Sequence, residues 1–259
     1  MSGPDIGSID QHAEDASLLR ELGPDYGVET EPSAHRLEGE WIRDVTLGAN
    51  DGLVSILTLL AGVAGATTGR TVLLAGIAGL VAGAISMGVG AYVSAKAYRA
   101  FYRKELAREI QEMRELPDRE RDEIRAIYRD RGFEGEELEM VVRRITADPQ
   151  VWLKVMMQEE LGLSAQFARP LGAAGVVFVA FLAGGIVPVL PFVWGEGTGT
   201  LVISFGATAA ALTLAGWIRT RFTGEQPARA AAELVGMATI GVGVAYGIGR
   251  LVDVTGIIG

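Results

Sequence analysis

The chain of 259 residues has no cysteine and only two histidines, His12 and His35, both near its start. Without cysteine there is no disulfide scaffold, thiolate zinc site, cysteine nucleophile or iron–sulfur ligation. Two N-terminal histidines leave no basis for a His-rich metal site or a Ser–His–Asp triad. The Glu-x-x-His pairs of an oxidising di-iron bundle are excluded too, because no histidine follows His35. No Gly-x-x-x-x-Gly-Lys-Ser/Thr loop is present, so ATP is not the energy source. A net charge of −9 argues against nucleic acid as a partner, since phosphate contacts need a basic face.

What is there is strongly segregated. Hydrophobic residues make up 49% of the chain and charged residues 21%. Residues 1–50 hold 11 acids against 3 basic residues, and residues 96–169 hold 16 against 15. The acidity therefore belongs to the first 40 residues, read as a disordered tail without the basic start and apolar run of a signal peptide. Uncharged runs follow at Gly52–Gly69, Thr71–Ala95, Pro170–Gly195, Gly197–Ile218 and Leu234–Gly249. Each reaches or approaches the ~20 residues that cross a bilayer core. Five such runs exceed what one soluble core can hold. The fold class is all-α: an integral membrane protein with five spans, whose glycine enrichment suits close packing of membrane helices.

Basic residues set the expected orientation. Arg36 and Arg43 precede the first span, and Lys96, Arg99, Arg103 and Lys104 follow the second. Arg169 precedes the third, and Arg219, Arg221 and Arg229 separate the fourth from the fifth. The N-terminus and the charged middle are thus expected in the cytoplasm and the C-terminus on the far side. Without a targeting segment, a prokaryotic inner membrane is the expected location. The domains read as 1–40 (tail), 41–95 (first two spans), 96–165 (cytoplasmic helical insertion) and 166–259 (last three spans). Within the insertion, Lys96–Leu116, Asp118–Arg131, Gly135–Ala147 and Gln150–Gly162 read as four helices. Pro117, Gly132 and Asp148-Pro149 separate them, with Asp118 capping the second.

Two groups of residues carry chemistry. Asn50 and Asp51 open the first span. An ionised Asp within a bilayer costs about 3 kcal/mol, so it faces a cavity, an ion path or a partner, unless it caps the helix at the interface. Met87, in the second span, is core filler or a soft thioether ligand. In the insertion, Glu105, Glu109 and Glu112 share one helix face, Glu120 and Glu123 pair on the next helix, and Glu159 and Glu160 follow Met156-Met157. Clustered carboxylates repel, and a divalent cation relieves them; thioethers move the preference toward Fe(II). The same pattern is also that of a solvated helix face laced with ion pairs.

Several short stretches occur together and in order: Asn50-Asp51-Gly52-Leu53-Val54-Ser55, then Ser86-Met87-Gly88 with Tyr92-Val93-Ser94, then Glu160-Leu161-Gly162-Leu163. In this the chain resembles the vacuolar iron transporter family over residues 41–252. The resemblance implies a homodimer that moves Fe(II) and similar divalent metals, Mn(II) included, out of the cytosol by exchange for protons. The metal is then substrate, the protein is not an enzyme and no cofactor is permanently bound. It implies a pathway at the dimer interface lined by Asp51 and Met87. It also implies an insertion that collects metal on Glu109, Glu112, Glu120, Glu123, Met156, Met157 and Glu160. One departure is Ala91, where the family commonly has Glu, so one acidic group is missing near the pathway mouth. The competing reading is a membrane-anchored metal sensor or structural protein without transport.

Overall fold

The computed structural model describes residues 34–162, 170–223 and 226–255, so the acidic tail up to residue 33, Leu163 and Arg169 lie outside the described residues. The described residues form helices and no strands. They are α1 (Ala34–Ala66), α2 (Arg70–Glu115), α3 (Pro117–Asp130), α4 (Gly135–Thr146), α5 (Pro149–Val155), a π-helical turn (Met156–Glu160), α6 (Pro170–Val189), α7 (Pro191–Trp194), α8 (Gly197–Thr223) and α9 (Pro227–Thr255). Five of these helices are long and apolar enough to cross a membrane: Trp41–Ala66, Arg70–Glu115, Pro170–Val189, Gly197–Ile218 and Ala231–Thr255.

The chain divides into two compact units, one holding Ala95–Ala168 and the other Leu37–Ser94 with Arg169–Gly259. In the second unit, Ile56, Leu60 and Ala61 of α1 pack with Val72, Leu80 and Ala84 of α2, Phe181 and Val189 of α6, and Leu201 of α8. Glycine sets how closely these helices approach. A Cβ on Gly48 would stand 2.7 Å from the Val177 carbonyl oxygen, and one on Gly52 would stand 2.8 Å from the Gly185 nitrogen. Helices α1 and α6 therefore cross backbone to backbone on either side of Asp51. Ser204 of α8 donates a 2.7 Å hydrogen bond to the Pro188 carbonyl inside α6. A buried hydroxyl thus finds its partner where water is absent.

The first unit has two apolar clusters. Ile124, Leu138, Val142, Ile145, Trp152 and Met156 form one; Tyr102, Leu106, Ile110, Leu153 and Met157 form the other. Each fully buried large side chain stabilises the unit by roughly 1.5–3 kcal/mol. The breakers act as their chemistry requires: Gly132 turns with φ +92° after α3, and the Asp148 carboxylate accepts from the backbone N–H groups of Gln150 and Val151 to cap α5.

Several boundaries differ from the sequence expectations. The second span and the first helix of the charged segment are one helix, α2, of 46 residues. No proline or turn residue lies between Ala95 and Pro117, so nothing ends it sooner. At 1.5 Å per residue it is about twice as long as a bilayer core is thick, and its apolar part ends at Ala95. Asp51 does not cap a helix: α1 begins at Ala34, and Asp51 lies inside it. Asp118 does not cap α3. Leu116 holds that position without a side-chain cap, and Asp118 pairs with Arg121 at 2.8 Å. Pro117 at the first helical position needs no N–H partner, which removes part of the demand for a cap. The fourth expected helix is α5 followed by the π-helical turn.

Candidate metal site

The site begins with a corner. Helix α2 stops at Glu115 and α3 starts at Pro117, so one residue, Leu116, separates them. Glu109 and Glu112 occupy the end of α2; Glu120 and Glu123 occupy the start of α3. The corner folds these two pairs onto each other. One carboxylate oxygen from each of Glu109, Glu112 and Glu120 lies within 4.8 Å of the other two. Glu120, Glu123 and Glu160 form a second group at the same spacing. Glu120 belongs to both.

The centre of the cluster is dry. Glu120 is 0% exposed and Glu109 is 1% exposed. Oε1 of Glu109 and both oxygens of Glu120 receive no hydrogen bond from any donor group. The one bond open to them is from one carboxyl to the other, and it requires a proton on one of them. Burial, the hydrogen bond to Glu120 and the charges of Glu160, Glu120 and Glu112 push the Glu109 carboxyl up to about 8. Burial raises Glu120 as well. Glu160 is pushed up to about 7 by desolvation and by the charges of Glu123, Glu120 and Glu112. Among the described residues, compensating cations stand only at the periphery. Arg108 lies 2.9 Å from Glu105 and 3.9 Å from Glu112, and Arg119 lies 3.1 Å from Glu123.

The structure brings together Glu109, Glu112, Glu120, Glu123 and Glu160. Glu105 and Glu159 are not in either group; Glu105 pairs with Arg108 and Glu159 with Arg131. Met156 and Met157, 0% and 2% exposed, enter the two apolar clusters of this unit. They sit beside Ile124 and Ile110, which neighbour Glu123 and Glu109 in the chain. The π-helical turn closes with Leu161 N–H on the Met156 carbonyl at 3.3 Å. Such turns occur mainly where a helix must re-aim side chains.

The other two expected residues lie in the membrane unit. Asp51 is half-buried on α1, one residue before Gly52, whose backbone meets Phe181 and Gly185 of α6. Met87 of α2 is half-buried against the cluster that contains Phe181. Helices α1 and α2 thus pack on the same α6 residue. Sequence reasoning missed Asp44, which is buried at 9% exposure and paired with Arg43 at 3.1 Å. Its seven-residue spacing from Asp51 puts both on one face of α1, and that spacing was the available signal. The Arg131–Glu159 pair was also missed, and no short-range pattern announces it.

An all-oxygen set of five carboxylates suits hard and borderline divalent cations, with thioethers close by in the chain. The family model described as "VIT family" matches residues 42–250. The rice (Oryza sativa subsp. japonica) protein vacuolar iron transporter 1 is 36% identical over 239 residues, 91% of this chain and 95% of that protein. Rice vacuolar iron transporter 2 is 37% identical over 222 residues, covering 85% and 90%. Vacuolar iron transporter 1 of Arabidopsis thaliana is 36% identical over 222 residues, covering 85% and 89%. These names point to the vacuole, and they lend no support to the expected prokaryotic inner membrane. With that family model matching residues 42–250, the chain belongs to the VIT family.

Proposed function

We propose that this protein transports Fe(II), and Mn(II) by the same ligand set, out of the cytosol in exchange for protons. The carrying observation is the convergence of five glutamates, two of them buried without donors, from the charged end of α2, the start of α3 and the π-helical turn. The relatives named for iron transport support the cargo. The insertion captures cytosolic metal on Glu109, Glu112, Glu120, Glu123 and Glu160, with Met156 and Met157 supplying softer contacts. Metal then passes to Asp51 and Met87, and leaves on the far side.

Proton exchange follows from ligand chemistry. Carboxylates bind metal only when deprotonated, so each metal bound displaces protons and each proton bound expels metal. Carboxyls raised to about 8 and about 7 hold protons near neutral pH and release them to an incoming cation. The active form is a homodimer whose interface carries the pathway. An exposed stripe on α2 supports it: Ala78, Ala82, Ser86, Gly90 and Ser94 recur every fourth residue, and a Cβ on Gly90 would meet nothing within 4 Å. A two-fold axis there doubles every ligand. Basic residues beside the insertion place the N-terminus on the cytosolic side in this reading, and the C-terminus opposite.

The test is Fe(II) uptake by proteoliposomes under an imposed proton gradient. Wild type is expected to carry metal, and Asp51→Ala is expected to lose at least tenfold in rate. Undiminished flux in Asp51→Ala removes Asp51 from the pathway. Metal binding without flux in wild type turns the reading to a membrane-anchored sensor.

A further inference from the structure

Between Asp51 and Glu105 the chain has no acidic residue, yet it places Lys96, Arg99, Arg103 and Lys104 within nine positions. All four side chains are exposed, and Phe101 among them is 49% exposed. Arg99, Arg103 and Lys104 pair with no carboxylate among the described residues. Five of the arginines downstream differ: Arg108, Arg119, Arg121, Arg125 and Arg131 each have a carboxylate partner. Arg114, Arg129, Arg143 and Arg144 also lack an ion pair among the described residues, but only Arg99, Arg103 and Lys104 stand together within six positions directly after an apolar span.

That stretch has a defined position along its helix. The apolar part of α2 ends at Ala95, and the four cations occupy the next 12 Å or so at 1.5 Å per residue. The headgroup layer beyond a hydrocarbon core is about 5–8 Å deep, and the Debye length is about 10 Å at ordinary ionic strength. Lys96 and Arg99 thus fall at headgroup depth, with Arg103 and Lys104 within a screening length above them. At about 100° per residue, Lys96, Arg99 and Arg103 share an arc of about 60°. A row of cations on one face, following an apolar span and carrying an exposed aromatic ring, fits a layer of phosphate-bearing headgroups.

We propose that Lys96, Arg99, Arg103 and Lys104 form a docking surface for anionic lipid headgroups. The surface has a consequence for the transport reading, although it does not depend on it. Arg99, Arg103 and Lys104 stand on α2 between its apolar part and Glu109, so without a counter-charge they repel a divalent cation leaving the carboxylates. Bound anionic headgroups cancel that repulsion, and metal traffic along this route then requires anionic lipid.

The test uses the full chain in phosphatidylcholine proteoliposomes with spin-labelled phosphatidylglycerol or spin-labelled phosphatidylcholine as probe. The fraction of each probe held immobile by the protein is read by electron paramagnetic resonance. Wild type is expected to prefer phosphatidylglycerol several-fold at low salt. The preference is expected to vanish near 1 M salt, where the Debye length is about 3 Å. Each cation removed is expected to cost up to about fivefold. Arg99→Gln/Arg103→Gln/Lys104→Gln, with Lys96 left in place, should approach parity, while Arg99→Lys/Arg103→Lys keeps the preference. An unchanged preference in the glutamine variant, or one that survives 1 M salt in wild type, overturns the proposal. So does loss of the preference on adding millimolar inorganic phosphate, which would mark a free-phosphate site. The salt series needs only wild type, so a glutamine variant that fails to insert leaves a decisive arm.

Discussion

Glu109 of α2 and Glu120 of α3 face each other across the corner at Leu116, buried at 1% and 0% exposure, with neither carboxylate paired to a cation among the described residues. Two ionised carboxylates cannot share such a place without a counter-charge, because desolvation and mutual repulsion both oppose ionisation. The pair therefore holds protons, and in the proposed function a divalent cation takes their place. Glu112, Glu123 and Glu160 surround that pair and add to its charge.

Metal affinity should consequently depend steeply on pH. With Glu109 raised to about 8 and Glu160 to about 7, Mn(II) binding by the detergent-solubilised full chain should strengthen between about pH 6 and about pH 9. It should release protons, seen as a dependence of calorimetric heat on the buffer. Stability runs the other way. A carboxyl whose folded pKa exceeds its unfolded value binds more protons when folded. The metal-free protein therefore loses stability as pH rises from about 4.5 through about 8, and bound metal restores it. Glu109→Gln and Glu120→Gln mimic the protonated state. Each should raise the metal-free melting temperature near pH 8 by a few degrees and weaken Mn(II) binding at least tenfold. Affinity independent of pH would contradict the account.

Much of this site was legible in the chain. Glu109 with Glu112, and Glu120 with Glu123, sit three apart on either side of Pro117, and a helix-breaking proline between two helical faces brings those faces together. The five apolar runs were equally plain, because membrane spans need length and lack of charge and little else. Depth was not legible. Glu105 and Glu109 look alike on a helical wheel, yet Glu105 pairs with Arg108 while Glu109 has no cation among the described residues. That difference is set by what packs over them from α3 and the π-helical turn. The turn was hidden as well, since Met156–Glu160 reads as the end of an ordinary helix.

Arg131 at the end of α3 pairs with Glu159 in the π-helical turn and lies 5.3 Å over the Tyr128 ring. That pair ties the turn carrying Glu160 to the helix carrying Glu120 and Glu123. Arg131→Ala should weaken Mn(II) binding about tenfold, as loss of a ligand-orienting partner does elsewhere. The swap Arg131→Glu/Glu159→Arg should recover most of it. Full affinity in Arg131→Ala would remove Arg131 from this positioning role.

Gly52 and Gly206 provide a matched contrast in the membrane unit. A Cβ on Gly52 would collide with the Phe181 carbonyl and stand 2.8 Å from the Gly185 nitrogen; one on Gly206 meets nothing within 4 Å. Gly52→Ala should cost about 1–3 kcal/mol of stability and push α1 away from α6. Gly206→Ala should be neutral in a thermal-unfolding assay. Equal stability of both variants would contradict the backbone-to-backbone crossing.

The exposed stripe on α2 offers a test of assembly. Gly90→Leu has open space around it in the single chain and should leave that fold intact. At a two-fold interface the added bulk should reduce the dimer at least tenfold, read by native mass spectrometry or light scattering in detergent. An unchanged dimer would move the interface elsewhere.

The most direct measurement follows Fe(II) and protons together in sealed proteoliposomes, with one dye reporting metal and another internal pH. The account predicts opposed Fe(II) and proton fluxes in wild type and neither in Asp51→Asn. It predicts slower metal flux, recovering at high Fe(II), in Glu109→Gln/Glu120→Gln, because capture is weakened while the pathway remains. Fe(II) flux without proton movement, or full flux in Asp51→Asn, would contradict it.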